Sequence, residues 1–279
     1  MTVGVLYIDR FSEGEESLSG EWPSIRLESP TALTRASLAG AGRWILRSRR
    51  LSLEDYCSVS NAVRSCGSEL VNTALSFGLI SSLRAVHVAL SDFGPPMIAG
   101  RAHQSPQDFI SMANVAGLKT PLFIRSEIES AAKYVGFDGC VVSSLTEEEV
   151  EAPIRALRQH VGGFNEIALK EIWEIKKLGR TDIALEYRTV GYRGELVAVD
   201  LPRGNLIPRL EPVHIQFLNR AYAALAKMGA DGVHVLDLAI RDSDRKPYIV
   251  EWKDLSSSSL RNAEGSLAAI IEAISARSS

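Results

Sequence analysis

Two apolar segments near the end of the chain, Gly232-Val-His-Val-Leu-Asp-Leu-Ala-Ile240 and Pro247-Tyr-Ile-Val-Glu-Trp252, each enclose one acidic residue. Both segments predict β-strands, and the polar stretch Asp242-Ser-Asp-Arg245 between them predicts a hairpin turn. A carboxylate in the middle of an apolar strand is costly to bury unless it is paired, neutralised or bound to a metal. We therefore expect Asp237 and Glu251 to have specific partners.

The spacing of these two acids predicts that they meet across the hairpin. Their midpoint in the sequence is Asp244, inside the turn. In a hairpin symmetric about that residue, Asp237 and Glu251 face each other with Cβ atoms about 5 Å apart. Like charges so placed repel, and a divalent cation that prefers oxygen ligands, magnesium rather than zinc, removes the repulsion. The alternative is that one acid lies at a strand edge or pairs with Lys253 or Arg188.

The first part of the chain alternates strand and helix signals, which predicts a small α/β domain. Ser52 with Asp55 three residues later is typical of a helix start, and Gly67 of a helix end. The expected strands are Val3–Ile8, Trp44–Arg47 and Glu69–Asn72, and the expected helices are Leu53–Ser65 and Leu75–Leu90.

The rest of the chain predicts two further α+β domains. Phe93-Gly-Pro-Pro96 and Gly162-Gly163 are boundary signals, so we expect domains at residues 1–98, 99–163 and 164–279. In the middle domain we expect a helix from Ser105 to about Gly117, strands at Pro121–Ser126 and Cys140–Val142, a polar mobile loop at 127–138, and a helix from Thr146 to about His160. In the last domain we expect a strand at Ile167–Ile175, a hairpin of Ile183–Gly191 and Glu195–Asp200, an irregular loop at Pro202–Pro212, and helices at Val213–Met228 and Leu260–Ala276.

Composition excludes several classes of function. The 279 residues carry a net charge of −3, which argues against a dedicated nucleic-acid partner. No segment approaches the about 20 apolar residues that span a bilayer, so no membrane partner is expected. The residues after Met1 do not resemble a signal peptide. Three cysteines without close spacing favour a reducing, cytoplasmic location.

The order of five short motifs resembles the ATP-grasp superfamily, in which an Asp and a Glu of the last hairpin hold magnesium on ATP. The motifs besides that hairpin are Pro121-Leu-Phe-Ile-Arg-Ser126, the loop up to Lys133-Tyr-Val-Gly136, Ala168-Leu-Lys-Glu-Ile-Trp-Glu-Ile175 and Ala184-Leu-Glu-Tyr-Arg188. Arginine in place of the first phosphate-binding lysine resembles a branch found in bacteria and phages. In that branch the N-terminal region also has segments similar to Leu51-Ser-Leu-Glu-Asp-Tyr56 and Glu69-Leu-Val-Asn72.

The resemblance implies a fold and a role for each motif. The expected fold is a small N-terminal α/β lobe followed by two α+β lobes that sandwich ATP. The implied catalytic and phosphate-binding residues are Arg125, Lys133 and Arg188; the implied adenine hinge is Lys170, Glu171, Ile172 and Trp173; Glu186 holds the ribose; and Asp237, Glu251 and Asp254 are the implied magnesium ligands. Asp254 enters because the usual Glu-x-Asn ending reads Glu251-Trp252-Lys253 here, and lysine cannot ligate magnesium.

The implied function is an ATP-dependent ligase that joins a carboxylate to an amine through an acyl phosphate, releasing ADP and phosphate. The implied cofactors are ATP and Mg²⁺. The implied partners are small-molecule carboxylates and amines such as amino acids, with a homodimer as an open hypothesis. Three alternatives also stay open: a phosphotransferase, a non-catalytic nucleotide-binding module, and a ligase that tags a macromolecule. Arg47 and Asn72 are candidates for the acceptor pocket.

Overall fold

The computed structural model describes residues 2–8, 22–29, 32–48, 51–127, 132–161, 163–179, 181, 183–200, 208–258, 260 and 262–277. The chain divides into two compact units, which are discontinuous in sequence. The first unit is Met1–Ile80, Lys177–Ala239 and Val250–Ser279, and the second is Ser81–Lys176 and Ile240–Ile249. The three sequence domains stay a prediction. Among the described residues, no helix has both the length and the apolar character needed to cross a membrane.

The first unit begins with a parallel sheet of four strands. These are β1 (Val3–Ile8), β2 (Ser24–Leu27), β3 (Arg43–Ser48) and β4 (Glu69–Leu70), in the order β2-β1-β3-β4. Helix α1 (Leu53–Ser65) connects β3 to β4 and begins at the predicted Ser52–Asp55 capping box. Its buried side chains, Tyr56, Val59 and Val63, pack with the sheet in one apolar core, which confirms the predicted small α/β region.

A break divides the helix that the sequence predicted at Leu75–Leu90. The structure has α2 (Ala74–Ser81) and α3 (Leu83–Leu90), so a single helix was wrong. Ser82 is extended, with φ −78° and ψ 117°, and its hydroxyl caps α3 by accepting from the Ala85 N–H at 3.2 Å. The same hydroxyl lies 3.2 Å from the Glu166 carboxylate. The contact with Glu166, which is 84 residues away, favours the break at Ser82, and no local sequence pattern reveals that contact.

The second unit contains an antiparallel sheet of four strands packed on helices. The strands are β5 (Met97–Arg101), β6 (Leu122–Ser126), β7 (Val141–Val142) and β8 (Glu166–Glu171), in the order β5-β8-β6-β7, and the helices are α4 (Pro106–Ala116), α5 (Ala132–Val135) and α6 (Glu147–His160). The predicted caps at Ser105 and Thr146 are confirmed, and α4 ends at Gly117, whose φ is 68°. Strand β5 and helix α5 were not predicted. Helix α5 lies in the stretch that the sequence predicted as a loop.

The last sheet consists of β9 (Glu186–Tyr192), β10 (Glu195–Asp200), β11 (Val233–Ile240) and β12 (Pro247–Asp254), in the order β10-β9-β11-β12. The predicted hairpin turn between β9 and β10 is confirmed, with positive φ at Arg193 and Gly194. Helices α7 (Pro212–Lys227) and α8 (Ala263–Ala276) complete the chain.

The two helices cover opposite faces of this last sheet. A side chain at Gly191 would collide with Tyr222 of α7, whereas Val190 and Tyr192 share a core with Leu267 and Ile270 of α8. Side chains alternate between faces along a strand. Arg188 therefore points to the α8 side of the sheet, and Thr189 points to the α7 side, where its hydroxyl meets that of Tyr222 at 2.9 Å.

Candidate active site

A buried ion pair joins the middle of β9 to the middle of β11. Arg188 and Asp237 are directly opposite in the antiparallel register. The guanidinium donates from Nε to Oδ1 at 2.8 Å and from Nη2 to Oδ2 at 2.7 Å, which is the two-pronged geometry that arginine makes with carboxylates. The side chains are only 12% and 5% exposed. The acid that the sequence predicted to need a partner therefore has one.

Glu251 lies close enough to this pair for its charge to act on Arg188. The bond to Asp237 raises the pKa of the Arg188 guanidinium most, burial opposes the rise, and the charges of Asp237, Glu251 and Asp200 add to it. Glu251 also forms an ion pair with Lys253, whose Nζ is 3.0 Å from its Oε2. Glu251 and Lys253 are two residues apart and share a face of β12.

A third carboxylate, Asp200, lies on the other side of Arg188. Asp200 is paired with Arg188 in the β10–β9 register, as Asp237 is in the β11–β9 register. It is fully buried and accepts from the Asn262 N–H at 2.7 Å and from the Ser266 hydroxyl at 2.8 Å, near the start of α8. Sequence reasoning missed Asp200, although an acid that ends an alternating strand opposite an arginine was a usable signal.

Glu186, the predicted ribose-binding residue, begins the same strand. It is half-buried and lies opposite Ala239 of β11. Because two residues separate it from Arg188, both side chains project from one face of β9. The structure pairs Asp237 with Arg188 and Glu251 with Lys253, which is the alternative that the sequence left open, and the roles of these residues in ATP and magnesium binding stay a prediction.

Asp254, the third predicted metal ligand, belongs to a different group. Its carboxylate accepts from the Asn72 side-chain amide and from the Ser256 N–H at 2.8 Å, and it lies 3.8 Å from His234 Nδ1. His234 is three residues before Asp237, so the two side chains point to opposite faces of β11. The structure therefore does not bring Asp254 to the Arg188–Asp237 pair.

The two residues considered for an acceptor pocket are buried in contacts with backbone groups. Asn72 donates to the Val233 carbonyl at 2.9 Å and accepts from the Val233 N–H at 2.6 Å. Arg47 is fully buried and donates to the carbonyls of Leu255 and Ser258, the latter at 2.7 Å. Both side chains hold segments of the first unit together, and Arg47 fixes the serine-rich loop after β12.

In the second unit, two predicted cations share one face of the sheet. Arg125 on β6 is opposite Ala168 of β8, and Lys170 is two residues further along β8. The two side chains therefore project together, away from the face on which Ile124 and Leu169 enter the apolar core. Both are at most 9% exposed. Lys170 donates to the Ile249 carbonyl at 3.4 Å, and Arg125 Nε donates to the Ser126 carbonyl at 3.1 Å.

The predicted adenine hinge follows Lys170 at the end of β8. The N–H groups of Glu171 and Ile172 already donate to the carbonyls of Pro96 and Pro121, at 3.0 and 3.1 Å. The Trp173 ring packs edge-on against Tyr248 and beneath the Arg241 guanidinium, 4.1 Å from its centroid. The predicted strand at Ile167–Ile175 is shorter than expected, because β8 ends at Glu171.

The last predicted phosphate ligand cannot be placed. Lys133 belongs to α5, but its side chain lies outside the described residues.

The donor set of the first unit fits one magnesium ion. Mg²⁺ is usually held by one or two carboxylates together with substrate phosphates, and Asp237 and Glu251 are two such donors. A carboxylate has about four lone-pair sites, so the bonds from Arg188 and Lys253 leave acceptor capacity. Within the described ranges, no group of three or more His, Cys, Asp or Glu side chains could hold a metal ion.

Comparison with solved structures identifies the fold. No protein-family model matches the chain, and no curated protein sequence does either. D-alanine–D-alanine ligase from Bacillus anthracis is 14% identical, with a TM-score of 0.62 over 100% of this chain and 99% of that one, and it has also been solved with ATP. A RimK domain ATP-grasp protein from Sphaerobacter thermophilus is 14% identical, with a TM-score of 0.61 and 98% of each chain covered.

A third similar structure is macrocyclase MdnC from Microcystis aeruginosa, solved with its precursor peptide MdnA. It is 11% identical, with a TM-score of 0.60 over 100% of both chains. At these identities the likeness establishes the fold, and it covers the whole chain. The order of motifs in the sequence predicted the same result. This chain has the fold of the ATP-grasp superfamily.

Proposed function

We propose that this protein is an ATP-dependent ligase that joins a carboxylate to an amine and releases ADP and phosphate. The observation that carries the proposal is a group of charges on the last sheet, in which Arg188 bonds both oxygens of Asp237 and lies close enough to Glu251 to be affected by its charge. The similarity in fold to a D-alanine–D-alanine ligase and a macrocyclase supports a ligase. The small-molecule carboxylates and amines expected from the sequence are the proposed substrates.

Asp237 and Glu251 are the proposed magnesium ligands, and Asp254 is left out because its carboxylate is engaged elsewhere. A magnesium ion bound there would neutralise phosphate charge and orient the γ-phosphate. Arg188 is the proposed phosphate ligand beside them: its guanidinium carries a permanent charge, and its planar fork suits phosphate oxygens as well as carboxylates. Glu186, on the same face of β9, is proposed to accept hydrogen bonds from the ribose hydroxyls.

In the second unit, Arg125 keeps its proposed role in phosphate binding, and Lys170 keeps its proposed role at the start of the adenine hinge. Lys133 keeps its proposed role in phosphate binding. Since the N–H groups of Glu171 and Ile172 are engaged, adenine would bind other groups of the Lys170–Trp173 hinge.

The proposed reaction has two steps, and both involve a phosphate group whose charge positive side chains can stabilise. The substrate carboxylate attacks the γ-phosphorus, the bond between the γ-phosphorus and the β–γ bridging oxygen breaks, and ADP leaves. The amine nitrogen then attacks the acyl phosphate carbon, loses a proton, and displaces inorganic phosphate. Arg125, Lys133 and Arg188 are the residues proposed to stabilise the charge that develops on the phosphate oxygens, which is the main demand of phosphoryl transfer. A covalent enzyme intermediate is not required.

The test is an ADP-release screen with Mg-ATP, in which pools of amino acids and other carboxylates are combined with pools of amines. A ligase forms ADP and free phosphate only when acid and amine are both present. A phosphotransferase forms ADP without free phosphate. Asp237→Asn and Glu251→Gln should abolish turnover, while Asp254→Asn should lower stability more than turnover. Full activity of both Asp237→Asn and Glu251→Gln would refute the assigned metal site.

A further inference from the structure

Lys253 places a positive charge beside Glu251, where a site with two metal ions would need an oxygen donor. The side chains of Asp200, Asp237 and Glu251 carry three negative charges that act on Arg188, and those of Arg188 and Lys253 carry two positive charges. Phosphoryl-transfer sites that use two metal ions hold them about 3.5–4 Å apart, between ligands that bridge or flank both. Such a site needs oxygen donors around each ion, whereas the lysine ammonium has three N–H donors and no lone pair.

The ammonium of Lys253 and a second metal ion would compete for the same carboxylate, that of Glu251. Its Nζ is 3.0 Å from Glu251 Oε2. Magnesium bonds to oxygen at about 2.0–2.1 Å, so a metal on that oxygen would sit within a few ångströms of the ammonium and be repelled by it. Arg188 engages both oxygens of Asp237 in the same way. Each carboxylate therefore has one cation from the protein, and its remaining lone pairs suit one shared metal ion better than two.

We propose that this protein binds its nucleotide with a single divalent cation, and that Lys253 supplies beside Glu251 the positive charge that a two-metal site takes from its second ion. The inference rests on the proposed function, because it assumes that ATP binds at Asp237 and Glu251. Lys253 is a positioning and charge-supplying residue here. Its side chain is 32% exposed, which leaves it able to turn from Glu251 toward a phosphate oxygen.

An exposed ion pair between residues two apart on one strand could also have no role beyond the surface, since such pairs contribute little to stability. The two explanations differ in what a substitution does to metal stoichiometry. Lys253→Asn removes the charge and adds a carbonyl oxygen, so it should create a second metal position. Lys253→Arg keeps the charge and adds no oxygen, so it should not.

The experiment counts Mn²⁺ bound to the full chain that is saturated with the β,γ-imido analogue of ATP. Free Mn²⁺ is measured by electron paramagnetic resonance during a titration, and native mass spectrometry gives the number of ions per chain. We expect one ion for the wild type and for Lys253→Arg, and two for Lys253→Asn. The two ions of Lys253→Asn should also show the spectral broadening of coupled Mn²⁺.

Lys246→Asn is the matched control, because Lys246 lies in the hairpin turn, is 75% exposed and contacts Asp244 rather than Glu251. It should bind one ion. Two coupled ions in the wild type, or a single ion in Lys253→Asn, would overturn the inference while the proposed function stands. Failure of the wild type to bind the analogue at any Mn²⁺ concentration would overturn the proposed function and this inference with it.

Discussion

The Arg188–Asp237 pair should be energetically coupled, and a double-mutant cycle can measure the coupling. The perturbations are Arg188→Met, which keeps the length of the side chain, Asp237→Asn, which keeps its shape, and the combination. Removing one partner of a buried ion pair costs about 3–5 kcal/mol, because the other charge is left buried. With the Arg188 side chain 12% exposed, the lower end of that range, about 3 kcal/mol, is expected for Arg188→Met.

The expected coupling follows from the two charge-assisted bonds at 2.8 and 2.7 Å. Each hydrogen bond to a charged group contributes about 1.5–3 kcal/mol, and Asp237→Asn retains part of one, so the coupling should be about 2 kcal/mol. Urea unfolding followed by circular dichroism gives the four free energies, compared at one urea concentration within the transition. The double variant should be more stable than the sum of the single losses predicts.

The control is a second forked pair with much greater exposure. Arg241 donates from Nε to Asp244 Oδ1 at 2.8 Å and also from Nη2 to Oδ2, but the two side chains are 26% and 29% exposed in the hairpin turn. Solvent screens such pairs, so Arg241→Met with Asp244→Asn should show far weaker coupling. A coupling below about 0.5 kcal/mol for Arg188 with Asp237, which is the limit of ordinary additivity, would refute the reasoning.

Three further predictions test the fold and its response to pH. Ser105→Ala removes the cap of α4 and should lower the free energy of unfolding by about 1 kcal/mol in urea titrations, with Ser111→Ala on the same helix as the milder comparison. Gly191→Ala places a methyl group against the Tyr222 ring and should cost about 1–3 kcal/mol in the same assay. Burial lowers the pKa of His234 below its usual 6.5, against the opposing charge of Asp254, so the folded state binds fewer protons than the unfolded state below that pH. Stability should therefore be complete above pH 6.5 and decline as the pH falls, and His234→Gln should flatten that decline in melting temperatures measured from pH 5 to 7.5; an unchanged slope would show that His234 is not its source.

Features that depend on neighbouring residues could be predicted from the sequence. The starts of α1, α4 and α6 follow from Ser52, Ser105 and Thr146, whose side chains accept from N–H groups three residues later. The turn at Arg193-Gly194 has positive φ at both residues, and glycine at the second position adopts this conformation without strain. In these cases the sequence segment contains both partners of the interaction that fixes the structure.

Features that depend on distant partners were missed or misplaced. The break between α2 and α3 involves Ser82 and Glu166, which are 84 residues apart. Strand β5 is short, and Gly100 within it lies where a Cβ would come 2.8 Å from the ring of Phe109 on α4. Neither contact can be inferred from a local pattern, because each requires knowing which elements pack together.

The alternation of side chains along a strand could have corrected the prediction that Asp254 is a magnesium ligand. Asp254 is three residues after Glu251, so in one regular strand their side chains point to opposite faces. The alternation that placed Glu186 with Arg188 thus also separates Asp254 from Glu251. The structure agrees, since Asp254 is bound by Asn72 and lies near His234.

The partners of the acids at 237 and 254 also explain why only one of them suits a binding role. Asn72, which donates to Asp254, is itself tied to the backbone of Val233 by a donor and an acceptor. Moving Asp254 would therefore remove an acceptor from the Asn72 amide that holds β11. Burial, and to a lesser extent the charge of Asp254, also raises the pKa of Tyr56. Arg188 holds Asp237 through two of its five donors and keeps its charge in any exchange. A guanidinium that binds a phosphate keeps its charge beside Asp237, whereas both donors of the Asn72 amide are already bound, one to the Val233 carbonyl and one to Asp254.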